Sequence, residues 1–123
     1  MKIKVAIIVP YHNSVDDLTT LINSIDEPHL DHLKLYIIDN STEYKCIKFL
    51  SEEKIETITI RTKPDIGFGR ASNVGLIIAR NQGINWGVVI NQDARLEPSA
   101  IYNLISSGVD AIPPSTVLSP LIL

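Results

Sequence analysis

Cysteine is nearly absent from this sequence. Cys46 stands alone among 123 residues, so no internal disulfide framework is possible, and a reducing compartment is expected. Long apolar runs are missing as well. None approaches the roughly 18 residues of a transmembrane helix. The apolar stretch near the start, Val5 to Val9, is shorter than the secretory-signal core of about 7–15 residues, and no small-residue cleavage site follows it. There is no excess of positive charge: 11 Lys and Arg against 14 Asp and Glu give a net charge of −3. A protein held on nucleic acid by phosphate contacts needs clustered cations, so that class is excluded. Repeats, low-complexity tracts, zinc-ligand spacings, a Walker loop and a Ser-His-Asp order are all lacking. What is present is 45% hydrophobic residues in a length that suits one domain of about 100–150 residues. The expectation is a cytoplasmic α/β domain.

Strand-like and helix-like segments alternate. Lys4 to Val9 is a β-rich apolar run stopped by Pro10, the pattern of a strand buried on both faces. Ser14 and Asp17 form a capping-box variant. Leu18, Leu21, Ile22 and Ile25 then share one helical face. Leu33 to Ile38 predicts a second strand, and Glu43 to Leu50 a short helix with Cys46, Ile47, Phe49 and Leu50 available to the core. Glu56 to Arg61 predicts a third strand. A helix follows from about Arg70 to Arg80 on an apolar set of Ala71, Val74, Ile77 and Ile78, ended by Asn81-Gln82-Gly83. Trp86 to Ile90 predicts a fourth strand and Ser99 to Ser106 a last helix, with one more short strand near Val117-Leu118. Such alternation implies right-handed crossovers and a mostly parallel sheet with helices on both faces. Ligands of such sheets bind outside the carboxyl ends of the strands.

Those ends are Pro10-Tyr11-His12-Asn13, Asp39-Asn40-Ser41, Thr62-Lys63-Pro64-Asp65 and Asn91-Gln92-Asp93. Asn91 and Asp93 offer the hard oxygens that Mg²⁺ or Mn²⁺ takes together with substrate phosphates, and both are also ordinary turn formers. Asp39 can accept hydrogen bonds from ribose or a base, or cap the following segment. Gly67-Phe68-Gly69 opens a helix, but Ser72 replaces the third glycine of a dinucleotide fingerprint and the motif follows the third strand, so that reading fails. A loop flanked by Lys63 and Arg70 remains, able to attract phosphate at the helix start or simply to pack there. His29 and His32 read as solvated connection residues.

In their order, Val5-Ala6-Ile7-Ile8-Val9-Pro10-Tyr11-His12-Asn13, Ile37-Ile38-Asp39-Asn40-Ser41-Thr42, Gly67-Phe68-Gly69-Arg70-Ala71-Ser72-Asn73-Val74-Gly75 and Asn91-Gln92-Asp93 resemble the first half of a family 2 glycosyltransferase with the GT-A, Rossmann-like fold. The nearest flavour is the rhamnosyltransferase-like branch, and the resemblance spans about residues 4 to 100. It implies a nucleoside-diphosphate sugar donor and a metal-assisted, inverting transfer to a saccharide or lipid-linked acceptor. Pro10, Tyr11 and Asn13 would line the base pocket, and Asp39 would bind base or ribose. Asp65, Gly67 and Asn73 would shape the pocket at the nucleotide and pyrophosphate. Asp93 would ligate Mg²⁺ or Mn²⁺, with Asn91 a weaker donor where many members carry an Asp. Gln92 replaces a Pro and Asp65 an Asn of the nearest pattern.

Family members run well past the metal motif into the acceptor site and catalytic base. This sequence stops about 30 residues after Asp93, so a truncated donor-binding domain without an evident base is expected. The apolar end, Val117 to Leu123, admits an alternative: a non-catalytic remnant or assembly module that self-associates through this tail. A receiver-like signalling domain is excluded, because the first strand lacks an acid pair and no Lys follows Lys63.

Overall fold

The computed structural model describes residues 4–43 and 55–106. The helix expected over 43–50, the strand near 117–118 and the apolar tail therefore lie outside the described residues, apart from Glu43. The elements are β1 (Lys4–Tyr11), α1 (Val15–Ser24), β2 (His32–Asp39), β3 (Glu56–Arg61), α2 (Phe68–Asn81), β4 (Trp86–Val89) and α3 (Ala100–Ser106). The strands form one parallel sheet in the order β3-β2-β1-β4.

Strand alternation explains the two layers of core. On β1, Val5, Ile7, Val9 and Tyr11 turn to one face, beside Leu35 and Ile37 of β2. There they meet Leu18, Leu21, Ile22 and Ile25 from α1 and its C-cap, and Ile101 and Ile105 of α3. Ala6 and Ile8, with Tyr36 and Ile38, turn to the other face and meet Ala71 and Ala79 of α2. The sheet thus carries helices on both faces, as its continuous apolar strands require.

Several local expectations are corrected. Pro10 does not stop β1, which runs on to Tyr11. The carbonyl of Ile8 accepts from the Ile90 N–H, so backbone groups of every second residue from Ile8 face β4. Pairing with β4 ends at Ile8, because the next bond of a parallel ladder would run from the N–H that Pro10 lacks to the Ile90 carbonyl; the proline ends the β1–β4 ladder without ending β1. Ser14 does occupy the N-cap of α1, but its hydroxyl donates to Asp17 Oδ2 at 2.9 Å instead of accepting from the helix. In α2, Ile77 is 58% exposed, and Gly75 is the residue pressed onto the sheet. The start of α3 is capped from a distance: the Glu27 carboxylate accepts from the Ile101 N–H at 2.7 Å and the Tyr102 N–H at 3.2 Å.

From β1 the chain winds outward to β2 and β3. It then crosses back beneath the sheet through α2 to β4, on the far side of β1. The direction of winding reverses between β1 and β4, which places a crevice at their carboxyl ends.

Candidate functional site

The rim at the carboxyl ends holds two cavities. The first, of about 330 Å³, is lined by Tyr11, Asn13, Asp16, Asp39 and Glu43, among others. The second, of about 510 Å³, is lined by Pro10, His12, Asp65, Gly67, Asn91 and Asp93, with Asp17 and Gln92 also on its wall. Odd residues of the β1 end enter the first cavity and even residues the second. The alternation that divides the core between α1 and α2 therefore continues past the strand and seats one cavity on each side of it.

The β2 side of the first cavity is built from side chains that stand in for a ladder. The Asn40 N–H and its Nδ2 both donate to the Tyr11 carbonyl, at 3.0 and 2.9 Å. The Asn13 N–H donates to Ser41 Oγ at 2.9 Å, Asn13 Nδ2 to Thr42 Oγ1 at 2.7 Å, and Asn13 Oδ1 accepts from the Thr42 N–H at 3.2 Å. Asn13 holds a φ of 50°, in the left-handed region that Asn tolerates better than most residues. Its amide thus ties the β1 loop to the β2 loop and fixes the cavity wall.

Asp39 is buried at the end of β2. Its Oδ1 accepts from the Ser41 N–H at 3.0 Å and its Oδ2 from Arg61 Nη1 at 3.1 Å, while Arg61 Nη2 donates to the Ser41 carbonyl at 3.3 Å. A buried carboxylate needs such a partner. Nearby, the Tyr11 hydroxyl is held above its ordinary pKa of 10.0, first by burial and then by the Asp39 charge, against a lowering hydrogen bond from the Ser14 backbone. Tyr11 is therefore a neutral hydroxyl beside an anion.

In the second cavity, His12 Nε2 and Asp65 Oδ1 lie 2.7 Å apart, joining the loops after β1 and β3. Asp65 holds a φ of 55° and its N–H donates to the Asn40 carbonyl at 2.9 Å. Gly67, at φ 89°, leads into α2, whose N-terminus no side chain caps. Asn91 and Asp93 are exposed on the turn after β4. Left-handed residues at Asn13, Asp65 and Gly67 on one rim mark a backbone held in shape by its surroundings.

Eight of the nine residues singled out in the sequence thus gather on one rim. Tyr11, Asn13 and Asp39 line the first cavity, and Pro10, Asp65, Gly67, Asn91 and Asp93 the second. Asn73 lines neither and lies exposed on α2. Sequence reasoning passed over Arg61, His12 and Gln92. Arg61 had a readable signal: aligning the second and third strands by their ends sets Asp39 opposite it. Among the described residues no group of three or more His, Cys, Asp or Glu could hold a metal ion by itself, and no helix is long and apolar enough to cross a membrane.

No family model and no curated protein matches the sequence. Among solved structures, the crystal structure of S. aureus TarS matches with a TM-score of 0.68 at 19% sequence identity. The match covers 85% of this chain and 20% of that one, so the chain spans about a fifth of the length of TarS. The likeness is one of fold: an α/β, Rossmann-like arrangement around a parallel sheet.

Proposed function

We propose that this chain is the donor-binding part of a family 2 glycosyltransferase of the rhamnosyltransferase-like kind. It takes a nucleoside-diphosphate sugar, in a reducing, cytoplasmic setting, for inverting transfer to a saccharide or lipid-linked acceptor. One observation carries the reading: in a glycosyltransferase-like fold, β1 ends between two cavities, one holding Asp39 and Tyr11, the other Asp65 and Asp93. A nucleoside diphosphate has two chemically different ends and suits this division. The nucleoside end, rich in donors, meets the buried Asp39, the neutral Tyr11 hydroxyl and the pinned loop of Asn13. The diphosphate end meets Pro10, Gly67 and the start of α2.

Carboxylates line both cavities, and a bare diphosphate would be repelled by Asp17, Asp65 and Asp93. A divalent cation resolves the conflict. Asp93 and Asn91 carry the hard oxygens that would hold Mg²⁺ or Mn²⁺ together with the substrate's phosphates. When bound, the ion neutralises charge on the departing diphosphate. Transfer also needs a base to take the acceptor's proton, and no side chain here is assigned that role.

Calorimetric titration with UDP, dTDP and GDP, each with and without Mn²⁺, tests the reading. One nucleotide is expected to bind, at least about tenfold more tightly with Mn²⁺. Asp93→Ala is expected to abolish the Mn²⁺ increment, and Asp39→Ala to weaken binding with or without the ion by about tenfold, the cost of roughly one charged hydrogen bond. Binding left unchanged by both substitutions would falsify the site, and no binding of any nucleotide would overturn the function.

A further inference from the structure

The middle residue of Asn91-Gln92-Asp93 points away from solvent chemistry and into the backbone of β1's continuation. The His12 N–H donates to Gln92 Oε1 at 2.7 Å, and Gln92 Nε2 donates to the His12 carbonyl at 3.0 Å. A carboxamide that accepts from one residue's N–H and donates to the same residue's carbonyl answers both backbone groups of that residue, as the edge of a neighbouring strand would, through the N–H syn to its oxygen that a trans peptide group lacks. The backbone alternation explains why it sits there. Ile8 faces β4 and accepts from the Ile90 N–H. Pro10 faces the same way without an N–H. His12 is next on that side, and by then β4 has ended. Gln92 extends the sheet by one rung after both ladders have stopped.

His12 is also the residue whose ring meets Asp65 at 2.7 Å. Residue 12 is therefore a hub, its backbone held by the β4 turn and its ring by the β3 loop. Through it, the turn bearing Asn91 and Asp93 and the loop bearing Asp65 and Gly67 are registered on one cavity. We infer that Gln92 is a positioning residue, a side-chain stand-in for a strand edge that fixes Asp93 against the diphosphate end of the donor site. This rests on the donor reading above and adds to it the group that sets the metal-side geometry.

The shape of the side chain decides which variants are informative. Gln92→Leu keeps the volume and loses both hydrogen bonds. Gln92→Glu keeps the shape and can still accept from the His12 N–H, but it sets an oxygen against the His12 carbonyl. Gln92→Asn is a methylene too short to reach both groups. Amide hydrogen exchange of His12 reports the clasp directly, without any ligand. It is expected to quicken by about tenfold in Gln92→Leu and Gln92→Glu, while the Ala6 and Ile8 amides inside the β1–β4 pairing keep their rates.

The functional half is read by titrating the unsubstituted chain and both variants with UDP, dTDP and GDP, with and without Mn²⁺. The Mn²⁺ increment is expected to fall by about tenfold in both variants, and metal-free affinity to stay within about twofold. Equal losses with and without Mn²⁺ would show a merely structural role and overturn the inference. So would a retained increment in a variant whose His12 amide has lost protection. Absence of any Mn²⁺ increment in the unsubstituted chain overturns the metal part of the donor reading first, and this inference with it. An increment in the unsubstituted chain that survives both variants overturns the inference alone. Should Gln92→Leu fail to fold, the near-isosteric Gln92→Glu carries the test.

Discussion

At the scale of the residue, the rim is governed by which polar groups are buried and who answers them. Tyr11 shows how burial becomes a measurable property. Its hydroxyl is held above the ordinary value of 10.0 by burial and by the Asp39 charge. The folded state therefore favours the protonated phenol. From about pH 10 the unfolded chain releases this proton before the folded chain does. The associated stability is whole below pH 10 and is lost as pH rises through the folded-state value. Urea midpoints at pH 9, 10 and 11 should fall less steeply in Tyr11→Phe than in the parent, since Phe carries no proton to lose. Parallel profiles would show that Tyr11 is not buried beside the anion as described. Asp39 makes the complementary point. Its identity as a rim acid was readable from its place at the end of an apolar strand. Its dependence on Arg61 was readable only by aligning the ends of β2 and β3, because that contact exists only once the two strands are set in register.

At the scale of the element, α2 shows how much of a helix a periodic pattern reveals. The pattern located the helix and its stop at Asn81-Gln82-Gly83, where Gly83 takes a φ of 78°. It placed Ala71, Val74 and Ile78 on the contact face correctly but counted Ile77 in and Gly75 out, because a hydrophobicity pattern cannot score a residue that packs by having no side chain. A Cβ built on Gly75 would lie 2.4 Å from Ile8 Cγ2, with Ile8 Cδ1 and Ile38 Cγ1 at 3.2 and 3.3 Å. Ile8 is fully buried and, being branched at Cβ, has few rotamers to retreat into. Gly87 on β4 looks similar but is not. Its added Cβ would meet only the end of the Leu76 side chain, at 2.4 Å, and Leu76 is partly exposed and free to swing. The helix propensity gained by Gly75→Ala is about 1 kcal/mol. At a 2.4 Å approach to a fully buried side chain the overpacking cost falls in the upper part of its usual range, about 2–3 kcal/mol, and exceeds it. Gly75→Ala should therefore destabilise by about 1–2 kcal/mol, and Gly87→Ala should be close to neutral. Thermal or urea melts of the two variants decide it, and equal stabilities would mean that α2 rides less closely on the sheet than described.

At the scale of the whole molecule, the fold was legible because both of its periodicities are local. Continuous apolar strands and amphipathic helices alternate along the chain, and alternation of that kind leads to a parallel sheet covered on both faces. The clasp was not legible, because His12 and Gln92 are 80 residues apart and interact through backbone that no sequence pattern reports. The same geometry ranks the parts by stability. β1 pairs with β2 along its full length, and both strands are buried over most of it, whereas β4 is four residues long and half-exposed. α3 has only seven residues and leans on Glu27 for its start. Native-state hydrogen exchange in rising urea should accordingly find the β1–β2 ladder opening only with global unfolding, and β4 and α3 opening earlier as a smaller unit. His12 is the discriminating amide. It continues β1 in sequence, but its partner is carried by the turn after β4. Its exchange should therefore follow β4 and not β1. If it follows β1, the loop is held by β1's own packing and the side-chain rung is not what fixes it. If it follows β4, opening that strand releases the metal side of the rim while the nucleoside side, pinned by Asn13, Asn40 and Ser41 to β2, stays formed.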